Sequence, residues 1–259
     1  MKKFILVLIF LIIGCVTTGP GGKKSLIFIP TSQEVQIGKE VARDVESSEK
    51  LLNNQTVQNY VNNVGQKIAK VCDRKDVKYK FKVLDNKEIN AFACPGGFIY
   101  IYSGLLKIFD NEAQLAAVLA HEVGHVVARH SIKRLQAIYG YTIVMEVALG
   151  GKMGKTARQM VDAAVGLTLQ GYGRENEYEA DNYGILYSKK TGYNPKAMIQ
   201  VFEKFKQMEG KPPNTFEKLL ASHPPAKDRI GNGNKQIKKI GGTELPYYED
   251  EYAAIKAQL

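Results

Sequence analysis

Val57, Val61, Val64, Ile68 and Val71 recur at steps of four and three, the spacing that lays one apolar stripe along a helix. A first amphipathic helix over about Ser32–Lys50 precedes it. At Tyr79-Lys80-Phe81-Lys82-Val83 the period changes to two, which predicts a half-buried strand. Asn90–Gly97 reads as a turn, bent by Pro95-Gly96-Gly97. It feeds a second strand, Phe98–Tyr102, whose aromatic and β-branched residues favour extended backbone. Both strands are expected in one small sheet.

From Asp110, which stands where a helix cap belongs, the pattern is helical. One helix runs through Leu115, Val118 and Leu119 into residues 121–125. Further helical patterns fall near 156–170, 175–190, 195–208, 213–221, 225–239 and 247–257. The apolar stretch 136–149 contains Glu146 and is too short for a convincing membrane span. No repeat and no domain-sized linker follows residue 30. The expected fold class is α+β, predominantly helical, with a small β-sheet in a single domain over residues 32–259.

The N-terminus is patterned differently. Met1-Lys2-Lys3 leads into an apolar run, Phe4–Ile13, followed by Gly14-Cys15. A basic start, a short apolar core and a small residue before the cut describe an export signal, here residues 1–14. Ile12-Ile13-Gly14-Cys15 resembles a bacterial lipobox, in which the cysteine is lipidated and becomes the mature N-terminus. Residues 15–31, rich in glycine and lysine, then form a flexible tether from membrane to domain. Export makes a Cys72–Cys94 disulfide conceivable, but spacing alone cannot supply the distance. The net charge of +10 is carried mostly by scattered lysines, with no arginine stripe or nucleic-acid module. Nucleic acid is therefore not an expected partner; a solvated basic surface is. Nothing in the sequence fixes the oligomeric state.

The chemistry concentrates at His121-Glu122-Val123-Gly124-His125. The chain has only four histidines, and His121, His125 and His130 lie within ten residues. Imidazoles four apart on a helix differ by about 40° in azimuth, so both can aim at one cation. Glu122 then lies beside that cation, placed to take a proton from water. Catalytic zinc needs a third protein ligand and one open position. No histidine stands ten residues after His121, where Ser131 is found, and on a continuous helix His130 would face about 180° away. It is expected to be a structural or capping residue. A carboxylate on another helix must then complete the site. In Glu175-Asn176-Glu177-Tyr178-Glu179-Ala180-Asp181, Glu177 and Asp181 share one face. That arrangement permits Glu177 to bind metal while Asp181 receives a ligand imidazole N–H; Glu175 and Glu179 are expected to be solvated. Arg174 and Arg229 are candidates for orienting these carboxylates. His223 could assist the reaction, occupy the open metal position, or merely cap the Pro224-Pro225 segment.

These motifs, in order, resemble the HtpX/BepA-like gluzincin metallopeptidase family, with the nearest likeness to its small LoiP-type lipoprotein members. The likeness rests on Asn90–Gly97, His121–His125, Arg174 with Glu177–Asp181, and His223-Pro224 followed by Arg229-Ile230, over about residues 32–240. The resemblance implies a zincin-like domain with one catalytic Zn²⁺ held by His121, His125 and Glu177. It also implies Glu122 as the catalytic base, His223 at the cleft, and a sheet edge that pairs with extended substrate. A C-terminal tetratricopeptide module and transmembrane helices, both found in relatives, are not expected here.

The function expected is a zinc-dependent endopeptidase (a metalloprotease). It would hydrolyse peptide bonds of misfolded or misassembled envelope proteins while lipid-anchored through Cys15 on the periplasmic face, preferably of the outer membrane. The alternative is a metal-stabilised chaperone or assembly factor without turnover, which would have no need of Glu122. A peptidoglycan-processing metalloenzyme is a third reading, separable by muropeptide release.

Overall fold

The computed structural model describes residues 15–17, 24–148, 154–168, 170–208, 219, 223 and 228–259. The expected export signal at 1–14 and most of the helix expected at 213–221 lie outside them. Two short strands, β1 (Cys15–Thr17) and β2 (Lys24–Leu26), pair antiparallel with Cys15 opposite Leu26. Helices α1 (Thr31–Ser48) and α2 (Gln55–Val71) follow, as the apolar stripes predict. The Asn54 side chain accepts the Val57 N–H and caps α2. Among the described residues, no helix is long and apolar enough to cross a membrane.

The sheet has three strands, β3 (Lys80–Leu84), β4 (Ala91–Cys94) and β5 (Phe98–Tyr102), ordered β3-β5-β4. β3 runs parallel to β5, and β4 antiparallel to it. β4 corrects the sequence reading, which made a turn of residues 90–97. The bend is confined to a 3₁₀ turn at Pro95–Gly97, and Ala91–Cys94 extends to form the sheet's edge. All four β4 side chains are buried, so the alternation that marks a half-exposed strand never appears in them. β5 is consequently the central strand.

Alternation divides the sheet side chains between two cores. Ala91, Ala93, Ile99 and Ile101 pack with α2 and the later helices, while Phe92, Cys94, Phe98, Tyr100 and Tyr102 pack with α1 and the following helical hairpin. The two candidate disulfide cysteines fall on opposite sides of this division, Cys72 with the first core and Cys94 with the second. Neither forms a disulfide, and both are buried.

After the short α3 (Ser103–Ile108), α4 (Glu112–Val127) runs through the middle of the protein with every residue buried. Its cap is Asn111, whose side chain accepts the Gln114 N–H, rather than Asp110. α5 (His130–Ala148) and α6 (Gly154–Thr168) come next, then α7 (Arg174–Lys190), α8 (Ala197–Met208), α9 (Arg229–Ile240) and α10 (Glu249–Lys256). α7 packs along α4, and the closeness of that contact is set by glycine. A Cβ at Gly124 would stand 2.8 Å from Tyr183 Cβ and 3.1 Å from the Ala180 carbonyl oxygen. Side chains of α7 therefore meet those of α4 at short range.

Candidate metal centre

His121 and His125 project from the same face of α4, with their Nε2 atoms 3.0 Å apart. Across from them, Glu177 in the first turn of α7 places Oε2 3.6 Å from His121 Nε2 and Oε1 3.5 Å from His125 Nε2. His223 completes the group. Its Nδ1 is 3.4 Å from His121 Nε2 and 3.1 Å from Glu177 Oε2. The ligand-type atoms of all four residues lie within 4.8 Å of one another, and all four residues are buried.

The outer contacts decide which atoms face inward. His121 Nδ1 lies 2.9 Å from Asp181 Oδ1, so the ring turns that nitrogen toward the carboxylate and its Nε2 toward the cluster. Asp181 also accepts from Arg229, at 2.8 Å from Nε and 2.6 Å from Nη2. The third guanidinium nitrogen lies 3.3 Å from Glu177 Oε2, and the Arg229 plane stacks over Phe202 at 4.5 Å. One arginine thus orients both Glu177 and Asp181. Arg174, expected to share this task, does not. It opens α7 about 10 Å along the axis from Asp181 and projects into solvent.

Three further residues join the site that the sequence did not assign to it. α4 stops at Val127, and Arg129 takes a left-handed φ of 54° before α5 begins. The break swings His130 back so that its Nδ1 lies 2.8 Å from His125 Nδ1. Its Nε2 faces Glu179 Oε2 at 3.4 Å, so Glu179 is not the free, solvated carboxylate expected. The expected opposition of His130 assumed one unbroken helix. Tyr172 stacks on the His125 ring at 4.2 Å between centroids. No residue type in 126–129 announces the break, because Arg129 is an unusual choice for positive φ.

Electrostatics follow from burial and the neighbours. Burial drives Glu122 upward despite the nearby His223 and His121. Burial and the surrounding cationic rings push His125 well down. Glu177 is lowered: burial opposes this, but His223, His121 and Arg229 prevail. For Asp181, burial is outweighed by Arg229 and His121, holding its carboxyl at about 2. His223 is raised to about 9, against burial, by Glu177 and Glu122.

This donor set fits a metal ion. Tetrahedral N/O ligation at about 2.0–2.2 Å implies donor–donor separations of about 3.3–3.6 Å, and the separations above, 3.0 to 3.6 Å, bracket that range. Two Nε2 atoms at 3.0 Å either share a proton or face one cation between them. Beside the cluster, Glu122 Oε1 is 3.4 Å from His223 Nε2, while the buried Oε2 has no hydrogen-bond partner among the described residues. An unpartnered buried carboxylate oxygen is costly unless it serves water or substrate.

Residues 55–236 match the profile of Peptidase family M48, and the chain belongs to that family. It is similar to the beta-barrel assembly-enhancing protease of Escherichia coli (strain K12), at 29% identity over 237 residues, 86% of this chain and 47% of that protein. It is also similar to the mitochondrial metalloendopeptidase OMA1 of Schizosaccharomyces pombe, at 30% identity over 173 residues, 66% of this chain and 50% of that one. A third relative is the metalloprotease YcaL of Escherichia coli (strain K12), at 28% identity over 184 residues, 65% of this chain and 71% of that one. The chain spans about half the length of the first two of these relatives.

Proposed function

We propose that this member of family M48 is a zinc-dependent endopeptidase acting on misfolded or misassembled envelope proteins from a lipid anchor at Cys15. The observation that carries the reading is the convergence of His121, His125 and Glu177 beside a buried Glu122 with one unpartnered oxygen. Imidazole and carboxylate donors together suit zinc. Zinc so held supplies Lewis acidity, polarising a carbonyl and lowering the pKa of water.

The chain's own residues would do the rest. Glu122 Oε2 takes the proton from an attacking water and returns it to the leaving amine, a role helped by the upward push of burial on its carboxyl. Asp181 and Arg229 hold His121 and Glu177 in place throughout. His223 lies with the other three ligand-type residues, so it would compete for the open position, and substrate entry would then require that ring to withdraw. β4 is the strand at the sheet edge next to the histidines, since the Ala91 carbonyl lies 3.4 Å from His223 Nε2. An extended substrate segment would pair with β4, a mode that reads backbone more than sequence and suits unfolded clients.

The substrate class and the envelope address draw support from the export pattern of residues 1–15 and from the printed role of the beta-barrel assembly-enhancing relative. The test is Glu122→Gln in the full chain, with zinc content measured beside casein digestion. Digestion is expected to fall by at least about 100-fold with zinc retained. Equal digestion by the variant, or by parent protein stripped with a chelator, would remove the peptidase reading. Client protection by the variant would instead favour the chaperone alternative.

A further inference from the structure

Both histidines of the α4 pair need a fixed tautomer, because each presents Nε2 to the ligand cluster and must carry its proton on Nδ1. His121 turns its Nδ1 toward Asp181, a carboxylate on the same helix as Glu177, at 2.9 Å. Among the described residues, His125 has no carboxylate there. The atom in front of its Nδ1 is His130 Nδ1, at 2.8 Å and fully buried. Two Nδ1 atoms at that distance share one proton. With His125 committed as donor, His130 must accept, which leaves the His130 proton on Nε2, facing Glu179 Oε2 at 3.4 Å. The assignments form one consistent chain, from His125 through His130 to Glu179, with no atom required to donate and accept at once.

We infer that His130 is a positioning residue for His125, fixing its tautomer and ring orientation toward the metal as Asp181 does for His121, with Glu179 holding His130. This rests on the metal-site reading above and extends it to residues outside the His121–His125 motif. The turn that delivers His130 is itself anchored. Arg129, at φ 54°, pairs with buried Glu34 of α1 at 2.8 Å and donates to the Ile29 carbonyl at 2.8 Å. Tyr172 closes the other side of the pocket by stacking on His125 and meeting Ser131 Oγ at 2.8 Å. A histidine that merely filled space would need none of this polar alignment.

The experiment compares His130→Asn with His130→Leu in the full chain. Both fill the pocket, but only asparagine offers an oxygen close to where Nδ1 stood. Zinc affinity is read by competition with a chromophoric chelator, and the ligand field by visible absorption of the cobalt-loaded protein. The leucine variant should lose about 10–100-fold in affinity and shift the cobalt bands, while asparagine recovers most of both. Equal affinities and spectra for parent, leucine and asparagine forms overturn the inference, as does an equal loss in both variants. Should the leucine form fail to fold, Glu179→Ala, which removes the acceptor facing His130 Nε2, decides. A smaller loss in the same direction supports the relay, and parent-like affinity and spectrum refute it. A parent chain that binds neither zinc nor cobalt would defeat the metal-site reading itself, and this inference with it.

Discussion

Replacing Arg229 with methionine removes the guanidinium that pairs with Asp181 and leaves two buried carboxylates of α7, Asp181 and Glu177, facing the same space. Three polar contacts disappear, at 2.8, 2.6 and 3.3 Å, together with the stack on Phe202. Asp181 alone sets the scale. Its carboxyl is held at about 2 against an ordinary value of 3.8, which corresponds to about 2 kcal/mol of stability. Because the folded pKa is the lower one, that contribution is fully present above about pH 4 and is lost as pH falls toward 2. Losing one partner of a buried charge group costs about 3–5 kcal/mol in total, which at about 2–4 °C per kcal/mol lowers Tm by about 6–20 °C. Zinc partly offsets the loss by balancing Glu177, so the drop should be larger in chelator than in zinc. Thermal melts near pH 7 of Arg229→Met and Arg229→Lys, each with zinc and with chelator, measure this directly. Lysine keeps the charge without the fork and should fall between parent and methionine. An Arg229→Met melt within about 2 °C of parent in chelator refutes the argument that Arg229 neutralises α7.

Two other positions give independent tests. Glu34 is the buried acceptor for Arg74 at 2.9 and 2.8 Å, Arg129 at 2.8 Å and the Gly96 N–H at 3.2 Å, so Glu34→Gln should destabilise by about 3–5 kcal/mol in urea titrations. A parent-like midpoint would show that solvent already screens these arginines. Gly124→Ala puts a methyl 2.8 Å from Tyr183 Cβ and 3.1 Å from the Ala180 carbonyl, atoms that yield only if α7 moves. Overpacking of about 1–3 kcal/mol should outweigh the helix-propensity gain of about 1 kcal/mol, and zinc affinity should fall because Glu177 travels with α7. Unchanged melting and affinity would mean that α4 and α7 separate freely.

The helices and the metal motif were legible because their signals are local. Apolar steps of three and four mark α1 and α2, and two histidines four apart share a helical face wherever that helix sits. A shared face likewise linked Glu177 to Asp181 before any fold was known. β4 was hidden because a strand buried on both sides shows no alternation. Arg174 and Arg229 were indistinguishable as arginines; position along α7 left one in solvent, and only the packing of α9 brought the other to Asp181. His130 is the clearest case. Its residue type was visible, but its direction depended on a single left-handed residue held by Glu34 nearly a hundred positions earlier. Periodicity and spacing reveal what each element can present, whereas long-range charge pairs and close helix contacts decide which presented groups meet.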